Sequence, residues 1–247
     1  GPGAGLAPGI HIDALTQRSS DGVFIFSVDA PATIGAVTYH PADLIAYNGV
    51  SYAIYLDHSV NLGLGEDADI TGVAFDEGGL VLLVFDAPLT LNQFGGGTLA
   101  YDPRNIVRYY PSGLLPSYLT VFTGAAAGLP AGSRLIGAEY FDALNLLVSV
   151  DVPVTLGAAA YAPGDAIMVN TSTNAASRYY RDTAVYPNPP PNSMTDFALP
   201  LPAGQVGNSL RAGKSGCHLA FASAAPASQP PPAPRRAHAD SAAAPGT

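Results

Sequence analysis

Short apolar runs and polar/apolar alternations, each ended by a cluster of Gly, Pro, Asn, Asp or Ser, fill most of this chain. A side-chain period of two with that punctuation predicts β-strands. A first group falls at 10–16, 23–28, 43–47 and 51–56, with a polar turn at Arg18-Ser19-Ser20-Asp21-Gly22 and the hairpin pair Asn48-Gly49 before the last strand. A second group falls at 70–75, 80–85, 105–110 and 117–122, turning at Asp76-Glu77-Gly78-Gly79 and around Pro111-Ser112-Gly113. A third falls at 135–141, 144–150, 165–169 and 177–181, with a turn near Asp142. Unbroken apolar runs such as Leu80-Val81-Leu82-Leu83-Val84-Phe85 predict strands buried on both faces, in the interior of a sheet.

The three groups are written to one template. Val28-Asp29-Ala30-Pro31, Phe85-Asp86-Ala87-Pro88 and Val150-Asp151-Val152-Pro153 each close an apolar run. Each is followed by a Tyr-x-Pro triplet (Tyr39-His40-Pro41, Tyr101-Asp102-Pro103, Tyr161-Ala162-Pro163) and then, two residues on, by Asp43, Asn105 or Asp165. The spacing is 57 residues from Asp29 to Asp86 and 65 from Asp86 to Asp151, so one supersecondary unit is used three times. Four short antiparallel strands in about 50 residues are what one propeller blade, or one quarter-turn of a β-solenoid, requires. The predicted fold class is all-β: a propeller-like array of three four-stranded repeats at 10–58, 69–122 and 134–182, plus a partial fourth at 193–201 that opens on Met194-Thr195-Asp196-Phe197-Ala198-Leu199. Together these make one repeat domain over 1–208. From 209 to 247 the chain is rich in Ala, Pro, Ser and Arg without periodicity, and disorder is expected there.

A propeller closes with at least about four blades, and three and a fraction would leave edge strands open. Three arrangements would cover those edges: the partial fourth copy and the N-terminal segment complete one sheet, the chain pairs with another copy, or further repeats of a longer array follow.

Composition narrows the function. Hydrophobic residues make up 48% and charged residues only 12%, which provides a sizeable core under a weakly charged surface. Residues 1–208 hold 6 Arg and no Lys against 18 Asp and Glu, a balance that repels a phosphate backbone and excludes nucleic acid and polybasic lipid contacts. Cys217 is the only cysteine, so there is neither a disulfide framework nor a thiolate metal site. No apolar run approaches the roughly 20 residues needed to span a bilayer.

The phrases Ile12-Asp13-Ala14-Leu15, Phe26-Ser27-Val28-Asp29 and Pro41-Ala42-Asp43-Leu44-Ile45 resemble the "DIDAL…FSVD" repeats of uncharacterised secreted or surface proteins of bacteria. That resemblance spans 10–200 and implies propeller-like units and an extracellular or cell-surface location. Copies two and three depart from it, with Ile70-Thr71-Gly72 and Ile136-Gly137-Ala138 where the first phrase would stand. It supplies no catalytic residues.

Among candidate chemistry, Asp29, Asp86 and Asp151 come first. A carboxylate at the end of a buried strand, two residues before Pro, can accept backbone N–H bonds and fix the exit of the chain. Its functional rival is a hard-cation site, since carboxylates with nearby carbonyls are what Ca²⁺ takes. Asp43, Asn105 and Asp165 can cap their turns in the same way. Glu66, Asp67 and Asp69 form the densest acidic cluster and are the candidate ligands of a weak Ca²⁺ site, without EF-hand spacing. His11, His40 and His58 neighbour Asp13, Asp43 and Asp57 but show no metal-ligand spacing, and are expected as surface residues. Tyr39, Tyr101 and Tyr161 are expected to pack on the adjoining prolines with the hydroxyl reaching water or a neighbouring blade; a rim of such tyrosines could bind sugar. There is no Gly-x-Ser-x-Gly elbow, and two acids occupy the phosphate position of the Gly63-Leu64-Gly65 stretch. The expectation is a non-catalytic structural or recognition module. The alternative is a Ca²⁺-assisted hydrolase or lactonase of propeller type, its carboxylates converging on one centre.

Overall fold

The computed structural model describes residues 6–111 and 116–180, which form eighteen strands and no helix. The expected partial fourth copy at 193–201 and the expected disordered tail at 209–247 lie outside the described residues. Unit one comprises β1 (Ile12–Gln17), β2 (Phe24–Val28), β3 (Ala32–Ile34), β4 (Val37–Tyr39), β5 (Leu44–Tyr47) and β6 (Tyr52–Leu56). Unit two comprises β7 (Ile70–Phe75), β8 (Val81–Phe85), β9 (Leu89–Asn92), β10 (Thr98–Tyr101), β11 (Asn105–Tyr110) and β12 (Ser117–Thr123). Unit three comprises β13 (Leu135–Asp142), β14 (Asn145–Val150), β15 (Val154–Leu156), β16 (Ala159–Tyr161), β17 (Ala166–Asn170) and β18 (Ala176–Tyr180).

Each unit is a four-stranded antiparallel sheet in chain order, β1-β2-β5-β6, β7-β8-β11-β12 and β13-β14-β17-β18, with a two-stranded hairpin set between its second and third strands. The pairing register slips at equivalent places in all three. In the opening strand the shift follows Ile12, Ile70 and Leu135; in the third principal strand it lies at Leu44/Ile45, Ile106/Val107 and Ala166/Ile167. A bulge adds local twist and re-aims the strand, so its triple recurrence marks one inherited geometry.

The hairpins β3–β4, β9–β10 and β15–β16 were not expected from the sequence. Strands of three or four residues are too short to show a period, and Gly35 and Gly157, with φ of 64° and 60°, make the tight turns of the first and third.

The sheets stack face to face. One apolar layer joins units one and two through Ala14, Ile25 and Leu44 on one side and Ile70, Val73, Leu83, Phe85 and Val107 on the other. A second joins units two and three through Ala74, Leu82, Val84 and Ile106 against Leu135, Ala138, Val148, Val150 and Ile167. A third covers the outer face of unit one, where the hairpin residues Ala32 and Tyr39 close over Phe26, Val28 and Ile45. β7 packs against both β1 and β13. The Thr16 hydroxyl on β1 donates to Glu139 Oε2 on β13 at 3.4 Å, so the opening strands of all three units meet. Gly72 permits this approach, because a Cβ there would lie 3.0 Å from the Ala138 nitrogen and from Val84.

Candidate functional site

The residue two places after each Tyr-x-Pro triplet is built into a turn. Asp43, Asn105 and Asp165 donate their own N–H groups to the carbonyls of His40, Asp102 and Ala162 at 2.9, 2.8 and 3.0 Å. Their side chains then hold the chain on either side. The His40 N–H donates to Asp43 Oδ2 at 2.7 Å, and the Ala162 N–H donates to Asp165 Oδ2 at 3.1 Å. The other oxygen of Asp43 accepts the His58 N–H at 2.8 Å, and Asn105 Oδ1 accepts the equivalent Gly124 N–H at 3.2 Å. Gly124 is required there, since a Cβ would run into the Arg104 carbonyl oxygen. All three turn residues are buried.

Asp29 and Asp151 sit at the opposite end of their strands and grip the residue that precedes the opening strand. His11 donates its N–H to Asp29 Oδ1 at 2.8 Å, and its ring Nδ1 lies 2.7 Å from Oδ2. Arg134 donates its N–H to Asp151 Oδ1 at 2.7 Å and its Nε–H to Oδ2 at 3.0 Å. In unit two the same place is held by Asp69, whose carbonyl accepts the Asp86 N–H at 3.2 Å. Where the flanking units set His11 or Arg134 against an aspartate, unit two sets two acids together. Burial, and then the neighbouring charges of Asp13 and Asp86, push the Asp69 carboxyl up to about 8. Among the described residues, Asp69 Oδ1 is buried without a hydrogen-bond partner. Burial also raises Asp86, partly offset by the nearby charge of Arg134.

His11, Asp69 and Arg134 did not emerge from the sequence as one position. Aligning the copies on Asp29, Asp86 and Asp151 and counting back 18, 17 and 17 residues finds them.

The acidic cluster separates: Glu66 and Asp67 are exposed in the connector, while Asp69 turns inward. Among the described residues, the metal-ligating group that comes together is Asp43, Asp57 and His58, with ligand atoms within 4.8 Å of one another. His58 is buried at 8% exposure, contrary to the expectation of a surface histidine; its Nδ1 lies 2.8 Å from Asp43 Oδ1 and its ring lies 4.7 Å from that of His40. Asp57 Oδ1 accepts the Val60 N–H, the Ser59 N–H and the Ser59 hydroxyl at 2.8, 2.9 and 2.8 Å. Those bonds, the Val60 N–H foremost, hold its pKa below the usual carboxylate value. A cation entering here would compete with the main-chain N–H groups that already donate to both oxygens of Asp43 and to Asp57 Oδ1.

The tyrosines also differ from expectation. Tyr39, Tyr101 and Tyr161 are all buried and form no rim for a sugar. The Tyr101 hydroxyl accepts the Phe85 N–H and donates to the Asn105 carbonyl, both at 2.9 Å, inside its own unit.

Fold and turns together define an all-β repeat protein with buried, bonded carboxylates. No protein-family model matches the chain, and no curated protein does. Similar solved structures include a protein of unknown function from Bacteroides caccae, 10% identical with a TM-score of 0.31, covering 70% of this chain and 62% of that one. Another is the extracellular domain of a hybrid two-component system from B. thetaiotaomicron, 10% identical with a TM-score of 0.34, covering 83% of this chain and 31% of that one. The chain thus spans less than two thirds of the length of either.

Proposed function

We propose that the chain is a non-catalytic structural or recognition module, extracellular or exposed at a bacterial surface, whose three units are successive propeller blades. The observation that carries this reading is the employment of the repeated carboxylates. Asp29, Asp43, Asp151 and Asp165 each accept a main-chain N–H of their own unit, which leaves chain geometry as their task. Support for blades comes from four-stranded sheets in chain order, stacked face to face with their opening strands together. The location rests on the resemblance of the repeats.

The alternative of a Ca²⁺-assisted hydrolase or lactonase draws on Asp69, which stands beside the acids Asp13 and Asp86. Thermal melts of the full chain in Ca²⁺ and in EDTA separate the two. A cation at a hundred times its dissociation constant would add about 2.7 kcal/mol. Coincident melts are expected; a Ca²⁺-dependent rise that Asp69→Asn abolishes would overturn the non-catalytic reading.

A further inference from the structure

Each unit has a forward face that looks along the chain toward its successor. Alternation along the second strand places Ile25 and Ser27 on that face in unit one and Leu82 and Val84 in unit two; because Leu146, Val148 and Val150 pack back on unit two, Leu147 and Ser149 are their counterparts in unit three. The forward face grips the first residue of the next opening strand twice. Ser27 donates its hydroxyl to the Ile70 carbonyl at 2.6 Å, and the Ile70 N–H donates to the Pro41 carbonyl at 3.3 Å. In unit two, where Val84 has no donor, the Thr71 hydroxyl reaches the Leu135 carbonyl at 3.2 Å, and the Leu135 N–H donates to the Pro103 carbonyl at 3.0 Å.

Unit three repeats both prongs with Ser149 and Pro163. Ser149 is 1% exposed, and among the described residues its hydroxyl has no hydrogen-bond partner. A buried unpaired hydroxyl is destabilising, and this one stands where unit one bonds the strand that follows. Beside it, Leu147 is fully buried, as Ile25 and Leu82 are beneath their successors.

We infer that this face seats a fourth opening strand, supplied by residues 194–199 of the same chain. The Ser149 hydroxyl and the Pro163 carbonyl are the two groups this face offers to an incoming strand, as Ser27 and Pro41 offer theirs to Ile70. The spacing selects Met194: the first residues of the opening strands are 58 apart from Ile12 to Ile70 and 65 apart from Ile70 to Leu135, and Leu135 to Met194 is 59. The connector fits as well, since Met194 follows the last residue of β18 by 14 positions, the same interval that separates Leu56 from Ile70. Met194-Thr195 also repeats the apolar-threonine pair of Ile70-Thr71. This inference depends on the succession of units and not on the absence of catalysis, so a Ca²⁺ effect in the melts leaves it standing.

Hydrogen exchange on the full chain, read by mass spectrometry at two protein concentrations, tests it. Amides of 194–199 should exchange at least about a hundredfold more slowly than in an unstructured segment, equally at both concentrations. Met194→Asp should abolish that protection, and Ser149→Ala should reduce it about five- to tenfold while units one to three keep theirs. Free exchange at 194–199 would overturn the assignment. Protection of the unit-three face that appears only at the higher concentration, with a dimer by light scattering, would overturn it in favour of a second copy seated there.

Discussion

Asp43 is 1% exposed and accepts from two main-chain N–H groups and from the neighbourhood of one imidazole. Its truncation strands all of them at once. Asp43→Ala should destabilise the fold by about 3 kcal/mol, and Asp43→Asn, which keeps one acceptor oxygen, by less; urea denaturation measures both. Asp69 has the opposite effect. A carboxyl whose folded pKa is raised to about 8 binds its proton more tightly folded than unfolded, so it weakens the fold increasingly from about pH 4 to pH 8. Asp69→Asn should therefore stabilise the protein at pH 8 and change little at pH 4, and Asp69→Arg should stabilise it further by copying the Arg134–Asp151 pair. A melting temperature at pH 8 below that of the parent for both variants would contradict this account.

At the scale of the element, the twelve principal strands were legible because each falls in a stretch of five to seven residues that reads as a run or alternation between turn formers. The unbroken Leu80–Phe85 run correctly reads as interior, since β8 lies between β7 and β11 and is buried throughout. The three inserted hairpins were illegible for want of length, and their exposed positions, such as Val37 and Thr38, follow no apolar pattern. Repetition made the turn aspartates visible, but their partners His58 and Gly124 lie 15 and 19 residues away, across a strand pair that no local pattern reports. The Tyr101 hydroxyl was misplaced for the same reason: the hairpin folds back and buries the ring, as it does with Tyr39 and Tyr161 in the other units. Tyr101 ties the end of that hairpin to β8 and β11, so Tyr101→Phe should cost about 1–2 kcal/mol in denaturant melts while leaving the strand content seen by circular dichroism intact.

For the whole molecule the raised carboxyls of Asp69 and Glu139 act together, and Asp86 is raised in the same direction. Burial lifts Glu139 to about 8, where Thr16 and the Tyr140 N–H supply its hydrogen bonds. Both groups bind more protons folded than unfolded between about pH 4 and pH 8, so stability falls as pH rises across that window and levels off above it. Guanidine titrations at pH 5 and pH 8 should show the lower midpoint at pH 8, and Glu139→Gln should narrow the gap; a higher midpoint at pH 8 would refute the assignment.

The carbonyls of Pro41 and Pro103 bear on how the molecule responds to load. Each ties one sheet to the next through main-chain atoms, and among the described residues the apolar layers likewise join sequence neighbours, with the Thr16–Glu139 contact a cross-link that reaches past the nearest sheet. Stretched from its termini in an optical trap, such a chain should yield as a staircase and not in one rupture. Each sheet of roughly 60 residues would release about 200 Å of contour on giving way.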